Sequence, residues 1–429
     1  MLSKVLALRQ RPFVRNVVIM ASGTAAAQLI SFVLTPVITR LYGPEAYGLM
    51  GVFMAIIQTI APVAALTYPI AVVLPKRDED AKGLMKLSWY ISIGLAAAAG
   101  ILLLLFNEPI AQIFQIGDVA PFLFLIPVVI IFSAFLQVTE QWLVRTKQFE
   151  IPAKASFLQS LLTQGSKAGI GLFFPAAAVL VVLTAAGNGV KALIMTLFTN
   201  STRAKSPNTV QEKGKSLRNL AKRYQDFPIF RAPQVLLNGM SQNIPVFVLS
   251  SFFGPAAAGF YSIGRTVLSL PIQLIGKSVG DVFYPRITEA GNNNENLTRL
   301  ITKTTFALAA VGIIPFGTIV IAGPWLFSFV FGSDWVTAGE YARWMAVWVF
   351  TMFISLPSIK ALPVLAAQAF HLKYTILMII IRTGALLFGY YVFGNDVVAV
   401  AFFSISAAML SLGLIVITLK ISSKFNCRT

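Results

Sequence analysis

Histidine and cysteine are almost missing from this chain: His371 and Cys427 stand alone in 429 residues. One cysteine excludes an internal disulfide framework, and the pair leaves no basis for a His/Cys metal site or for thiol redox chemistry. No metal and no cofactor is expected. Charge is scarce as well, at 12% Asp, Glu, Lys and Arg, and the acidic share is smaller still, 16 residues against 34 basic ones. A catalytic centre needs convergent titratable groups, and we find no Ser/His/Asp set, no phosphate-binding Gly-rich loop and no metal-ligand cluster in the sequence. The chain is not read as an enzyme.

Long apolar runs fill the space left by those absences. Hydrophobic residues make up 57% of the chain and the mean hydropathy is +0.77, far above a soluble protein of this length. A spanning helix needs about 20 mostly apolar residues. Twelve such segments are predicted: Val17–Thr39, Ala46–Leu74, Leu87–Phe106, Val119–Val144, Pro152–Phe174, Ala176–Thr199, Val235–Phe253, Ala256–Tyr284, Thr304–Gly323, Tyr341–Ala366, Tyr374–Phe393 and Val397–Leu419. The split between the fifth and sixth rests on a tight turn around Pro175 alone. The first run continues past the small residues Ala25–Ala27, so it is read as a mature helix and not as a cleaved signal.

The net charge of +18 would point to nucleic acid in a soluble protein. Here the basic residues sort by membrane side, so nucleic acid is set aside. Lys4, Arg9, Arg11 and Arg15, then Lys76, Arg77, Lys82 and Lys86, and every second loop after them are basic, whereas the opposite loops carry only Arg40. The positive-inside rule puts both termini and the basic loops in the cytoplasm. This predicts an N-terminal six-helix bundle over residues 1–199, a basic cytoplasmic linker at 200–234, a second six-helix bundle at 235–419 and a cytoplasmic tail at 420–429.

The halves resemble each other. Leu41–Met50 matches Phe252–Tyr261 in an aromatic-Gly-Pro-x-Ala-x-Gly pattern displaced by 211 residues, and Pro109, Phe114 and Gly117 match Pro324, Phe329 and Gly332 at 215. Six spans per half preserve orientation, which implies a pseudo-two-fold axis along the membrane normal and a central cavity between the bundles.

The run Ser22-Gly23-Thr24, then Pro36, then Arg40-Leu41-Tyr42-Gly43-Pro44-Glu45-Ala46-Tyr47-Gly48 resembles the start of the polysaccharide-biosynthesis proteins, the Wzx-type O-antigen or repeat-unit flippases of the MATE-like MOP superfamily. The resemblance implies an all-α membrane protein of two six-helix bundles. It also implies movement of a polyprenyl-diphosphate-linked oligosaccharide from the inner to the outer leaflet of a bacterial cytoplasmic membrane, alongside membrane lipids and other polysaccharide-assembly proteins as partners. The alternatives are a multidrug exporter on the same scaffold, which would need intramembrane carboxylates, and a membrane polysaccharide polymerase, which would need a long outer loop.

Seven cations sit inside otherwise apolar spans: Lys167, Lys191, Arg265, Lys277, Arg343, Lys360 and Arg382. A cation at mid-bilayer costs about 2.5–3.5 kcal/mol, so it faces a wet interior, pairs with an acid or binds backbone carbonyls. Arg265, Arg382 and Lys167 are the deepest and are read as cargo-binding; Lys191, Lys277, Lys360 and Arg343 lie nearer span ends, where they can snorkel. Asn238, Gln242 and Asn243 add amides expected near one helix face beside Pro245. Glu140 and Asp281 are the candidate proton or cation sites; Lys277, four residues before Asp281, is at pairing distance. Gly165/Gly169 and Gly276/Gly280 have the spacing of close helix contacts.

Overall fold

The computed structural model describes the backbone of residues 12–202, 216–293 and 295–426; the side chains at 12–19, 21, 118, 200–202, 274, 277, 278, 280, 281 and 426 fall outside the described set. The described chain is helical throughout. Its helices are α1 (Pro12–Ile60), α2 (Asp78–Ile113), α3 (Ile126–Arg145), α4 (Glu150–Gly171), α5 (Ala177–Thr202), α6 (Leu217–Arg223), α7 (Ala232–Phe253), α8 (Pro255–Pro271), α9 (Lys277–Asn292), α10 (Leu297–Phe331), α11 (Val336–Ile354), α12 (Leu356–Ala361), α13 (Gln368–Phe393) and α14 (Asp396–Asn426). Packing gathers them into two units, Met1–Asn243 and Ile244–Thr429, and the boundary falls inside α7.

Each of the twelve predicted spans overlaps one or more of these helices. Eight described segments are long and apolar enough to cross a membrane by length and composition. The segments that miss that threshold, α4 among them, carry polar residues such as Gln159, Gln164 and Lys167. Side chains such as Leu104, Phe173 and Ile321 are 74%, 78% and 80% exposed, a surface that only hydrocarbon would cover without penalty. This is a multi-pass membrane protein.

The internal repeat is conformational as well as textual. Gly43 breaks α1 at φ 71°, ψ 175°, and Gly254 separates α7 from α8 at φ 89°, ψ 172°. That region of backbone space is essentially closed to residues with a Cβ. Pro44 and Pro255 follow, their fixed φ suited to the first turn of the next helix. The second match is looser. Gly332 turns the chain at φ 118°, but in the first half the left-handed residue is Gln115 (φ 52°), two positions before Gly117. Both turns then enter a 3-10 segment, Gly117–Leu125 and Ser333–Trp335.

Three predicted spans are interrupted. The second stops as an α-helix at Ile60, and its remainder folds into two 3-10 segments, Ala61–Val63 and Tyr68–Val73, with Leu66 and Thr67 both left-handed (φ 48° and 60°). Pro62 and Pro69 remove the amides that a continuing helix needs. Non-glycine residues in this region cost about 1–3 kcal/mol each, so the surroundings must hold them. Thr67 itself donates to the Phe227 carbonyl at 3.0 Å, and Arg145 braces the end of the segment that enters α2, donating to the carbonyls of Val72 and Pro75 at 3.2 and 2.6 Å and to Asp78 at 2.8 Å. The eighth span passes through a π-turn, Ile272–Gly276, directly after Pro271, and the tenth breaks at Ser355 before Pro357. The turn at Pro175 does separate two helices, α4 and α5.

The glycine spacings need correction. A Cβ on Gly165 or Gly169 would meet nothing within 4 Å, so neither marks a close helix contact; their side of α4 faces open space. Close approach occurs instead at Gly171, where a Cβ would lie 2.5 Å from the Tyr42 ring, at Gly23 against Ala153, and at the α10–α11 crossing, where Gly339 would strike the Gly323 carbonyl. Gly276 is also tight, against Leu356.

Residues 203–215 of the predicted linker, with Arg203, Lys205, Lys213 and Lys215, lie outside the described residues. Beyond them the chain is not a free linker: α6 and a π-turn at Phe227–Arg231 lead straight into α7, and Leu220 is buried to 1% exposure.

Replacing Gly43 or Gly254 by Ala should lower stability by about 1–3 kcal/mol each. At Gly43 a Cβ would touch nothing, so that loss is purely conformational. The midpoint of thermal unfolding in detergent reads it, and an unchanged midpoint in both variants would mean that the turns do not depend on this backbone geometry.

Candidate functional site

The second unit brings two of the deepest predicted cations together. On α8, Tyr261 is buried to 1% exposure and Arg265 follows one helical turn later. Arg382 arrives on α13, and its guanidinium carbon stands 5.8 Å from the centre of the Phe403 ring on α14. Tyr261 and Trp348 meet that same ring edge-on at 6.5 and 5.3 Å. Tyr261 links the two, standing one helical turn before Arg265 on α8 with its ring against the Phe403 ring that Arg382 covers. The aromatic faces offset part of the cost, since a ring attracts a cation over its face.

The remaining predicted residues occupy different surroundings. Lys167 on α4 is buried to 8% exposure; among the described residues its amine meets only the Met50 sulfur, at 3.6 Å, while its backbone carbonyl accepts from the Tyr42 hydroxyl at 2.9 Å. It is a buried cation of the first unit, separate in the chain from the Arg265–Arg382 pair. Lys191 is bound to Glu140 at 2.7 Å in a half-buried ion pair between α5 and α3. Arg343 is exposed on α11 and donates to the Ile321 carbonyl at 3.2 Å, stitching α11 to α10. Lys360 is half-buried in the last turn of α12. Lys277 and Asp281 stand one turn apart on α9, and their side chains lie outside the described residues.

The amide group divides. Asn243 is buried to 3% exposure and donates to the Thr59 hydroxyl at 3.3 Å and the Gly239 carbonyl at 3.0 Å, whereas Asn238 and Gln242 are exposed. The expectation of one shared face is corrected. Residues 238 and 242 are a turn apart, but 243 is a further 100° round an α-helix that runs unbroken through Pro245. Asn243 holds α7 to α1, as Asn188 holds α5 to α3 through Ser133 at 2.9 Å.

Sequence reasoning missed the aromatic partners Tyr261, Trp348 and Phe403. Tyr261 carried a signal, its helical spacing of four from Arg265; Phe403 carried none, because only packing brings α14 to α13. A cavity of about 660 Å³ lies elsewhere, between α1, α4 and α5, walled by Gly23, Ala153, Phe157 and Phe198 with Glu150 and Lys154 at its edge. It contains none of the predicted cations. No set of three His, Cys, Asp or Glu side chains among the described residues could hold a metal.

A model of the family described as "Polysaccharide biosynthesis protein" matches residues 37–340, from before the Gly43 turn into α11. The chain belongs to the polysaccharide biosynthesis protein family. Among curated relatives of this family member, the succinoglycan biosynthesis transport protein ExoT of Rhizobium meliloti (strain 1021) is 23% identical over 325 residues, 72% of this chain. The match spans 60% of that relative's length. Solved structures give the fold. An inward-facing multidrug resistance MATE family transporter of the MOP superfamily superimposes with a TM-score of 0.72 at 15% identity, covering 93% of this chain and 95% of its own. The lipid II flippase MurJ, in an inward closed conformation, gives 0.70 at 13% identity, covering 96% and 90%. The family resemblance carried by residues 22–48 is therefore borne out, and the fold is like that of these solved transporters.

If the Glu140–Lys191 bond is structural, Glu140→Gln and Lys191→Gln should each cost about 1–3 kcal/mol by stranding a half-buried charge. The exchanged pair E140K/K191E should recover stability and transport together. A stable but inactive exchange would instead identify Glu140 as an ion-coupling group.

Proposed function

We propose that this protein moves a polyprenyl-diphosphate-linked oligosaccharide from the cytoplasmic to the outer leaflet by alternating access, with both termini and the basic loops on the cytoplasmic side. The observation that carries the proposal is the placement of Arg382 over the Phe403 ring, which packs against Tyr261 one helical turn before Arg265, inside a membrane unit. A diphosphate is the part of such a cargo that bare hydrocarbon tolerates least. Two guanidinium groups replace its lost hydration with charge-assisted hydrogen bonds. Family membership supports a glycan as the carried group, and the named roles of a succinoglycan transport protein and a lipid II flippase among its relatives and fold neighbours support lipid-linked transport.

Multidrug transporters share the fold. Extrusion of organic cations calls for a carboxylate to meet the cargo, whereas here the placed groups are cationic and Glu140 is already bound to Lys191. The anionic cargo fits better. A membrane potential negative inside would also drive it outward, by about 2.3 kcal/mol per uncompensated charge per 100 mV.

Deleting the protein should strand glycan-loaded carrier lipid on the cytoplasmic leaflet. Arg265→Ala and Arg382→Ala should reduce transport about ten- to a hundredfold, the weight of one or more charge-assisted hydrogen bonds. Lysine at either position should rescue in part, since it restores charge without the planar fork. Full activity in both alanine variants would remove these residues from the site.

A further inference from the structure

The chain between α5 and α7 ends in a basic elbow clamped to the first unit. On its inner side, Leu220 of α6 packs with Tyr68, Ala71, Val72, Ala81 and Leu84 in one buried cluster. Two hydrogen bonds reach it from the left-handed loop before α2: Thr67 donates from its hydroxyl to the Phe227 carbonyl at 3.0 Å, and Tyr68 to the Ala221 carbonyl at 3.2 Å. Arg145 in turn locks the far end of that loop through the carbonyls of Val72 and Pro75. The elbow is therefore held in one orientation.

Its outer side is of one chemical kind. Arg218, Lys222, Arg223 and Arg231 are all exposed, with Asp226 as the only acid between residues 216 and 234. Beside them, in the turn that leads into the α7 membrane span, Ile229 and Phe230 are 55% and 70% exposed. Cations next to apolar side chains at the entry to a span match the two layers of a leaflet: phosphates outside, acyl chains just beneath.

We infer that this elbow is a docking surface for anionic phospholipid, with Arg218, Lys222 and Arg223 on the headgroup phosphates and Ile229 and Phe230 seated in the acyl region below. A soluble acidic partner would have no use for the exposed Ile229 and Phe230, and an apolar protein partner would leave three cations on one short helix without counter-charge. Bound lipid would bear on the loop at residues 61–77 through the Thr67 and Tyr68 bonds, so the lipid leaflet grips the first unit at its most strained backbone. The inference does not depend on the cargo.

The single cysteine makes the test direct. In full-length protein carrying Cys427→Ser, a donor dye on Asn219→Cys reports from the middle of the basic face. Proteoliposomes contain acceptor-labelled phosphatidylglycerol or, at the same mole fraction, acceptor-labelled phosphatidylcholine. Energy transfer to phosphatidylglycerol should exceed that to phosphatidylcholine, with each basic residue contributing about fivefold in local association. The R218Q/K222Q/R223Q variant should abolish the difference. Neutralising three exposed basic residues elsewhere, R299Q/K303Q/K420Q, should leave it intact. Equal transfer to the two lipids in the parent, a preference that survives the first triple variant, or its loss in the second would each overturn the proposal. Because the readout is lipid proximity, a failed cargo assignment would not affect it.

Discussion

Hydrocarbon solvates neither a bare peptide group nor a charge, and this constraint shapes the molecule at every level. It requires the backbone to bond internally, which accounts for a described chain that is helical throughout. Non-helical backbone is confined to turns and to places where side chains answer the freed groups. The loop at residues 61–77 is the clearest case: it carries two left-handed residues and exposes several carbonyls, and Arg145 and the α6 elbow satisfy and brace them.

The same constraint sorts the intramembrane cations by what each finds to offset its charge. Lys191 meets a carboxylate, Arg343 a helix carbonyl, Lys167 a thioether, and Arg382 an aromatic face. These are unequal solutions. An ion pair offsets a charge more fully than a ring face or a thioether does. Arg265 and Arg382 differ from the others in lying in the second unit on helices that meet around Tyr261 and Phe403, which is why the proposed function places the anionic group of the cargo there.

Two glycines set the repeat. Gly43 and Gly254 share a backbone conformation nearly closed to other residues, each followed by a proline that starts the next helix. The second repeat match has drifted, since Gln115 takes the left-handed position in one half and Gly332 in the other.

The twelve spans, the repeat, the membrane setting and the family were all legible in the chain, because apolar length, loop charge and a Gly-Pro turn are local properties written in consecutive residues. Tertiary structure decided which cations meet. Lys191 and Glu140 are 51 residues apart and Arg382 and Phe403 are 21 apart, yet the first forms an ion pair and the second a cation–ring contact, according to how neighbouring helices rotate. It also decided that Asn243 binds Thr59 while Asn238 and Gln242 turn outward, and that Gly165 and Gly169 face open space. Helix periodicity places side chains around one axis, but the rotation of that axis against its neighbours is settled only when every helix packs at once.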